Sequence, residues 1–279
     1  MTRRGGSDIE GLDLSWTYDG SVHTGDDGLR APWPAEVTPG WAFGDGSGAG
    51  TRVAVIDSGI EPGHPLVGPF ESYAAEQDGD TVTVTADAGH DMCGHGTACA
   101  GIIRALAPGC EIVSVRVLGM GFFGSGEALT AGLRWAIDNR CDVINLSLST
   151  TKRETAEVLY RLADLAYFRR TLIVASAHNT PVASFPWRFS SVISVGSHQM
   201  TDPEIFYYNP HPPVEFFARG QEVSVAWLRG STITCTGNSF ATPHIAGMCA
   251  RILGAHPGLT PFQVKTLLYL TAANVRREE

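Results

Sequence analysis

Apolar residues along this chain fall into two alternating kinds of run. "TRVAVID" (Thr51 to Asp57) is short, apolar and β-branched, the pattern of a buried strand. Similar runs return as "CEIVSVRVL" from Cys110, "DVINLSLS" from Asp142, "TLIVASA" from Thr171 and "SVISVGS" from Ser191. Between them, "HGTACAGIIRAL" from His95, "GEALTAGLRWAIDNR" from Gly126 and "TAEVLYRLADLAYFRR" from Thr155 carry apolar positions at helical spacing. Such alternation predicts βαβ units: an α/β, three-layer fold with a mostly parallel sheet and helices on both faces. "EVSVAWL" and "STITC" predict a hairpin, and two helices close the chain, from Ser239 and from Thr260. Residues 1–50 show no sustained period and are rich in Gly, Pro, Asp and Ser. They predict an irregular N-terminal extension, followed by one domain over residues 51–279.

Composition agrees with a single large core. The chain has 279 residues, 43% hydrophobic and 18% charged. Lys plus Arg is 20 against 29 for Asp plus Glu, a net charge of −9, which speaks against a nucleic-acid partner. No apolar run is long enough to span a membrane, so no membrane partner is expected. "MTRRGG" opens with two arginines but no apolar stretch follows. The expectation is a cytoplasmic chain as written, with a secreted mature chain as the alternative. The six cysteines lie in apolar or strand-like contexts and read as buried thiols rather than a disulfide framework.

In a doubly wound sheet, sites form beyond the carboxyl ends of the strands. Asp57 stands at such an end, His95 opens one helix and Ser239 opens another. A serine hydroxyl needs a base to take its proton, and the imidazole needs a carboxylate to fix its tautomer. A helix N-terminus favours developing negative charge nearby. Taken singly, an Asp after a strand is an ordinary turn residue and a Ser before a helix an ordinary cap. The order Asp…His…Ser carries more. The opposite series, Ser…acid…His, is absent: after Ser239 the only acids are Glu278 and Glu279, both beyond the last histidine, His256.

Two rival readings compete for the same stretches. "GMGFFG" (Gly119 to Gly124) is a G-x-G-x-x-G between a strand and a helix, the context of a dinucleotide site, but the next strand ends Ser147–Leu148–Ser149 without the acid that NAD requires. His90, Cys93, His95 and Cys99 could ligate zinc, although their spacing is not a standard one. Neither displaces the triad, and no metal or cofactor is expected.

Three motifs in family order, "VAVIDSGIEPGHP", "GHGTACAGII" and "GNSFATPHIAG", resemble those of subtilisin-type serine peptidases. "VINLSLS" resembles that family's substrate-binding strand, and "LIVASAHN" the segment ending in its oxyanion asparagine. The likeness covers about residues 35 to 275. It implies a subtilisin-like fold and a serine endopeptidase acting on a peptide or protein substrate. Ser239 would be the nucleophile, His95 the base and then the acid, Asp57 its orienting partner, and Asn179 the oxyanion donor beside the Ser239 backbone N–H. Gly124–Ser125–Gly126 and Ser147–Leu148–Ser149 would bracket the substrate strand, and Pro243 would be the family's proline inside the serine helix. An inactive peptide-binding scaffold is the rival of another class, and the complete triad argues against it. The acidic charge and missing signal fit an intracellular role on a precursor peptide, with general degradation as the alternative.

The chain also departs from the family. Asn238 stands where threonine is usual, His178 where glycine is usual, and Ser149 where glycine commonly follows the substrate-binding strand. Between Arg104 and Cys110 the turn "ALAPG" replaces the calcium-binding loop of many secreted relatives.

Overall fold

Five consecutive apolar runs become the parallel core of a sheet because neither of their faces meets water. The computed structural model describes residues 33–79 and 81–275. Most of the expected extension, residues 1–32, lies outside the described residues. Contacts divide the chain after Glu36, and the unit from Val37 onward is described here by itself.

The elements are α1 (Pro39–Phe43), β1 (Arg52–Asp57), β2 (Glu71–Asp78), β3 (Thr81–Ala86), α2 (His95–Leu106), β4 (Glu111–Arg116), a 3-10 turn (Met120–Phe122), α3 (Gly126–Asp138), β5 (Val143–Leu146), α4 (Arg153–Phe168), β6 (Leu172–Ser176), β7 (Ile193–His198), β8 (Tyr207–Tyr208), β9 (Phe216–Arg219), β10 (Val223–Trp227), β11 (Ser231–Cys235), α5 (Asn238–Ala255) and α6 (Pro261–Thr271). Nine strands form one sheet in the order β3-β2-β4-β1-β5-β6-β7-β9-β8. Only the outer pairs, β2 with β3 and β8 with β9, are antiparallel. β10 and β11 form the separate hairpin that the sequence predicts.

Alternation along the strands sorts side chains onto two faces. Ala54 and Ile56, Val113 and Val115, Ile144 and Leu146, Ile173 and Ala175 point to one face, where they pack against Leu133 and Ile137 of α3 and Leu159 of α4. The intervening positions, such as Val53, Val55, Ile112 and Val174, are equally buried and turn to the side of α2 and α5. Each fully buried aliphatic side chain contributes on the order of 1.5–3 kcal/mol. The α/β, three-layer, mostly parallel arrangement is therefore the observed one.

Two differences from the sequence pattern have physical causes. Glu71–Asp78 and Thr81–Ala86 are strands although no apolar run marks them. They form the edge of the sheet, where one face and one side meet solvent, so polar residues suffice. Within the stretch expected to be irregular, Pro39–Phe43 forms a short helix, with the Thr38 hydroxyl accepting from the Trp41 N–H and Pro39 at its first position. Its Ala42 and Phe43 are buried, and the Trp41 carbonyl hydrogen-bonds His256 Nε2 at 2.7 Å.

Candidate active site

Asp57 ends β1 at the carboxyl edge of the sheet and is fully buried. His95 is the first residue of α2, and its Nδ1 lies 2.9 Å from each carboxylate oxygen of Asp57. One of those oxygens also accepts the Ser58 backbone N–H at 2.7 Å. A buried carboxylate held this way favours the imidazole tautomer with the proton on Nδ1, leaving Nε2 as the basic nitrogen. Burial alone would push the His95 ring down. The Asp57 charge, the Cys99 sulfur and the Asp57 hydrogen bond push it up and prevail, so the imidazole is held well above its ordinary value.

A second carboxylate, not singled out in the sequence, fixes the loop before His95. Asp91 Oδ1 accepts from Ser58 Oγ at 2.7 Å and from the N–H groups of Cys93 and Gly94 at 3.0 and 2.8 Å. Its Oδ2 accepts from the Thr97 N–H and hydroxyl at 2.8 and 2.6 Å. Asp91 thus caps α2 from three residues before the glycine cap, Gly94, which has φ 90°. Gly96 must lack a side chain, because a Cβ there would collide with the Gly59 carbonyl oxygen. The signal was legible: an acid just upstream of a helix start.

Ser239 is the second residue of α5, one position further in than the sequence suggests. Four residues on, Pro243 has no N–H to return to the Ser239 carbonyl. That carbonyl is satisfied from outside the helix instead, by Ser147 Oγ at 2.8 Å and Cys99 Sγ at 3.8 Å. Ser147 Oγ in turn accepts from Asn145 Nδ2 at 3.0 Å. The proline therefore ties the serine turn to the end of β5 and to α2.

A cleft of about 530 Å³ opens at this edge of the sheet. It is lined by His95, Ser239, Asn179, Gly124, Ser125, Gly126, Ser147, Leu148 and Ser149, so the expected groups are brought together. Asp57 lies behind His95 and does not line it. Sequence reasoning missed Lys152, Trp227 and Thr236 in the wall.

A family model described as the subtilase family matches residues 48–279. The chain belongs to the subtilase family. It is 30% identical to subtilisin DY of Bacillus licheniformis over 246 residues, 82% of this chain and 85% of that protein. It is 32% identical to the minor extracellular protease Epr of Bacillus subtilis (strain 168), over 83% of this chain but only 36% of Epr. Among solved structures, a cold-adapted subtilisin-like serine proteinase superposes with a TM-score of 0.63 at 28% identity, covering 80% of this chain and 82% of that one. This is a subtilase domain of the subtilisin-like serine peptidase type.

The rival readings lose their geometry in the subtilase frame. The N-terminus of α3, where a pyrophosphate would sit, is capped by Ser125 Oγ accepting from the Ala128 N–H at 3.0 Å. Among the described residues, the group of ligand-type side chains close enough for one ion is Asp57, His95 and Cys99, within 4.8 Å of one another. His90 and Cys93 stand outside it, so the rival set of His90, Cys93, His95 and Cys99 is not brought together. No helix among the described residues is long and apolar enough to cross a membrane.

Two of the departures, Asn238 and His178, lie next to Asn179. Asn179 Oδ1 accepts the Asn238 backbone N–H at 2.9 Å, and Asn179 lines the cleft together with Ser239. The Asn238 side chain spans three segments. Its Oδ1 accepts from the Ser197 N–H at 2.9 Å, and its Nδ2 donates to the carbonyls of Ala177 and His178 at 3.2 and 3.3 Å.

Proposed function

We propose that this chain is an endopeptidase that cleaves peptide bonds by acyl transfer to Ser239. What carries the reading is the convergence of His95, held by buried Asp57, with Ser239 and Asn179 in one cleft. His95 Nε2 takes the Ser239 hydroxyl proton as the oxygen attacks the scissile carbonyl. Asp57 stabilises the imidazolium that results. Asn179 Nδ2 and the Ser239 backbone N–H, at the start of α5, receive the oxyanion. His95 then passes its proton to the departing amine. Water, deprotonated by the same ring, releases the acyl group. Gly124–Ser125–Gly126 and Ser147–Leu148–Ser149 form the two walls between which an extended peptide adds as a strand.

On this reading residues 51–279 are the peptidase domain and residues 1–50 its N-terminal extension. The substrate is a peptide or protein, and the narrower role is processing of a defined precursor peptide inside the cell. The hydroxyl- and nitrogen-bearing cleft wall supports selection over indiscriminate degradation.

The test is labelling with a small fluorophosphonate together with turnover of a peptide library. Ser239→Ala should keep its circular-dichroism spectrum, lose labelling and lose about 10⁶ in kcat, the loss known for a subtilisin. Labelling that persists at another serine would overturn the assignment. Labelling of the parent without cleavage of any peptide would favour a binding scaffold.

A further inference from the structure

The charge of the cleft is one-sided. Among the described residues its ionisable lining is His95, His178 and Lys152, with no carboxylate. Asp57, the nearest acid, is sealed behind His95.

His178 stands one residue before Asn179. Its Nδ1 lies 3.1 Å from the Thr180 nitrogen, 2.9 Å from the Thr180 hydroxyl and 3.2 Å from the Thr180 carbonyl oxygen. These contacts hold the ring by its Nδ1 edge, so Nε2 is the nitrogen through which His178 can meet a ligand in the cleft. Because Asn179 addresses the scissile carbonyl, the side chain His178 meets is that of the residue supplying this carbonyl.

Lys152 stands on another wall of the same cleft, three residues beyond Ser149, and immediately precedes α4. Among the described residues no carboxylate lies within ion-pairing distance of its ammonium group. Glu127 is close enough to feel it but is held first by backbone N–H and by Ser125. A carboxylate entering such a cleft meets an opposite charge, whereas an ammonium entering it meets a like one.

Resting on the peptidase reading above, we propose that His178 and Lys152 make this cleft select substrates with Asp or Glu on the acyl side of the scissile bond. His178 supplies a ring nitrogen beside Asn179, and Lys152 supplies the field that draws the acidic side chain in. Glycine in place of His178 would leave that carboxylate with Lys152 alone among these two partners.

Peptidyl diphenyl phosphonates identical except for a Glu, Asp, Leu or Phe analogue at the reacting position test this, with labelling rate as readout. A small fluorophosphonate normalises each protein for reactive Ser239. The parent should be labelled at least ~10-fold faster by the acidic probes than by the Leu probe, on the scale of a charge-assisted contact. In His178→Gly or in Lys152→Gln, whose side chain is exposed and whose folding is not at stake, that ratio should fall several-fold. A parent that reacts as fast with Leu or Phe overturns the proposal, as does a ratio unchanged in both variants. Fluorophosphonate that fails to label the parent at all overturns the peptidase reading as well, so the two failures are distinct.

Discussion

The backbone N–H of Asn238 donates to Asn179 Oδ1 at 2.9 Å, so the residue beside the serine sets the direction of the proposed oxyanion donor. Asn238 adds its own side chain to the same task, holding the Ala177 and His178 carbonyls.

Removing Asn179 should therefore cost more than removing the Asn238 side chain, and both losses should fall on kcat. Asn179→Ala should lower kcat by ~10²–10³ with little change in KM, the range known for this donor in a subtilisin. Asn238→Ala keeps the backbone N–H and should lower kcat by roughly ten-fold, the cost of a slackened donor. Steady-state kinetics on one peptide check this. A raised KM with intact kcat in Asn238→Ala would make it a substrate contact instead.

The pH profile follows from the pair behind Ser239. His95 must be neutral to take a proton, and its pKa is raised, so kcat/KM should rise with pH through that raised value and then level off. Asp57→Asn removes the charge that raises it and leaves burial, which lowers it. The acid limb should move to lower pH while kcat falls by about 10⁴. A limb that stays in place would mean another group titrates there.

His244 lies inside α5 with Nδ1 donating to the Phe240 carbonyl at 2.8 Å. Burial pushes it down to about 4. A depressed histidine is neutral when folded and takes up a proton on unfolding. Its stabilising contribution is present above about 6.5 and is lost as pH falls toward about 4. The loss is on the order of 3 kcal/mol. Thermal melts from pH 7 to pH 4 should show the decline. In His244→Asn, which can still donate to Phe240, the slope should flatten; an unchanged slope would assign it elsewhere.

Thermal stability should not depend on calcium at the turn after α2. Calcium requires six to eight oxygen ligands. Here Leu106 ends the helix and Glu111 begins β4, with Ala107, Pro108, Gly109 and Cys110 between them. Melts in EDTA and in millimolar calcium should coincide. A drop of many degrees on chelation would place a calcium site elsewhere in the fold.

What was legible in the sequence was whatever burial writes as pattern. β1, β4, β5, β6 and β7 are apolar because both of their faces are covered, and α2 and α5 begin at the glycine-flanked motifs. β2, β3, β8 and β9 sit toward the edges of the sheet, where no continuous apolar run is required. The Asp57, His95 and Ser239 trio was legible through order and resemblance. Lys152 and Trp227 were not, because their place in the cleft depends on how α4 and the hairpin fold back, which no local spacing encodes. Asn238 showed only as an unusual letter until its side chain was seen bridging three segments.

Pro243 carries a consequence for how this protein can be switched off. A helix normally supplies its own internal scaffolding, so its first turn survives disturbance of its neighbours. Here the turn bearing Ser239 borrows a strut from Ser147, and Ser147 borrows one from Asn145. The proposed nucleophile is thereby mounted on the sheet as much as on its own helix. A slight loosening where β5 meets the cleft would slacken the serine while most of the fold stands, so activity should vanish in denaturant before global unfolding does.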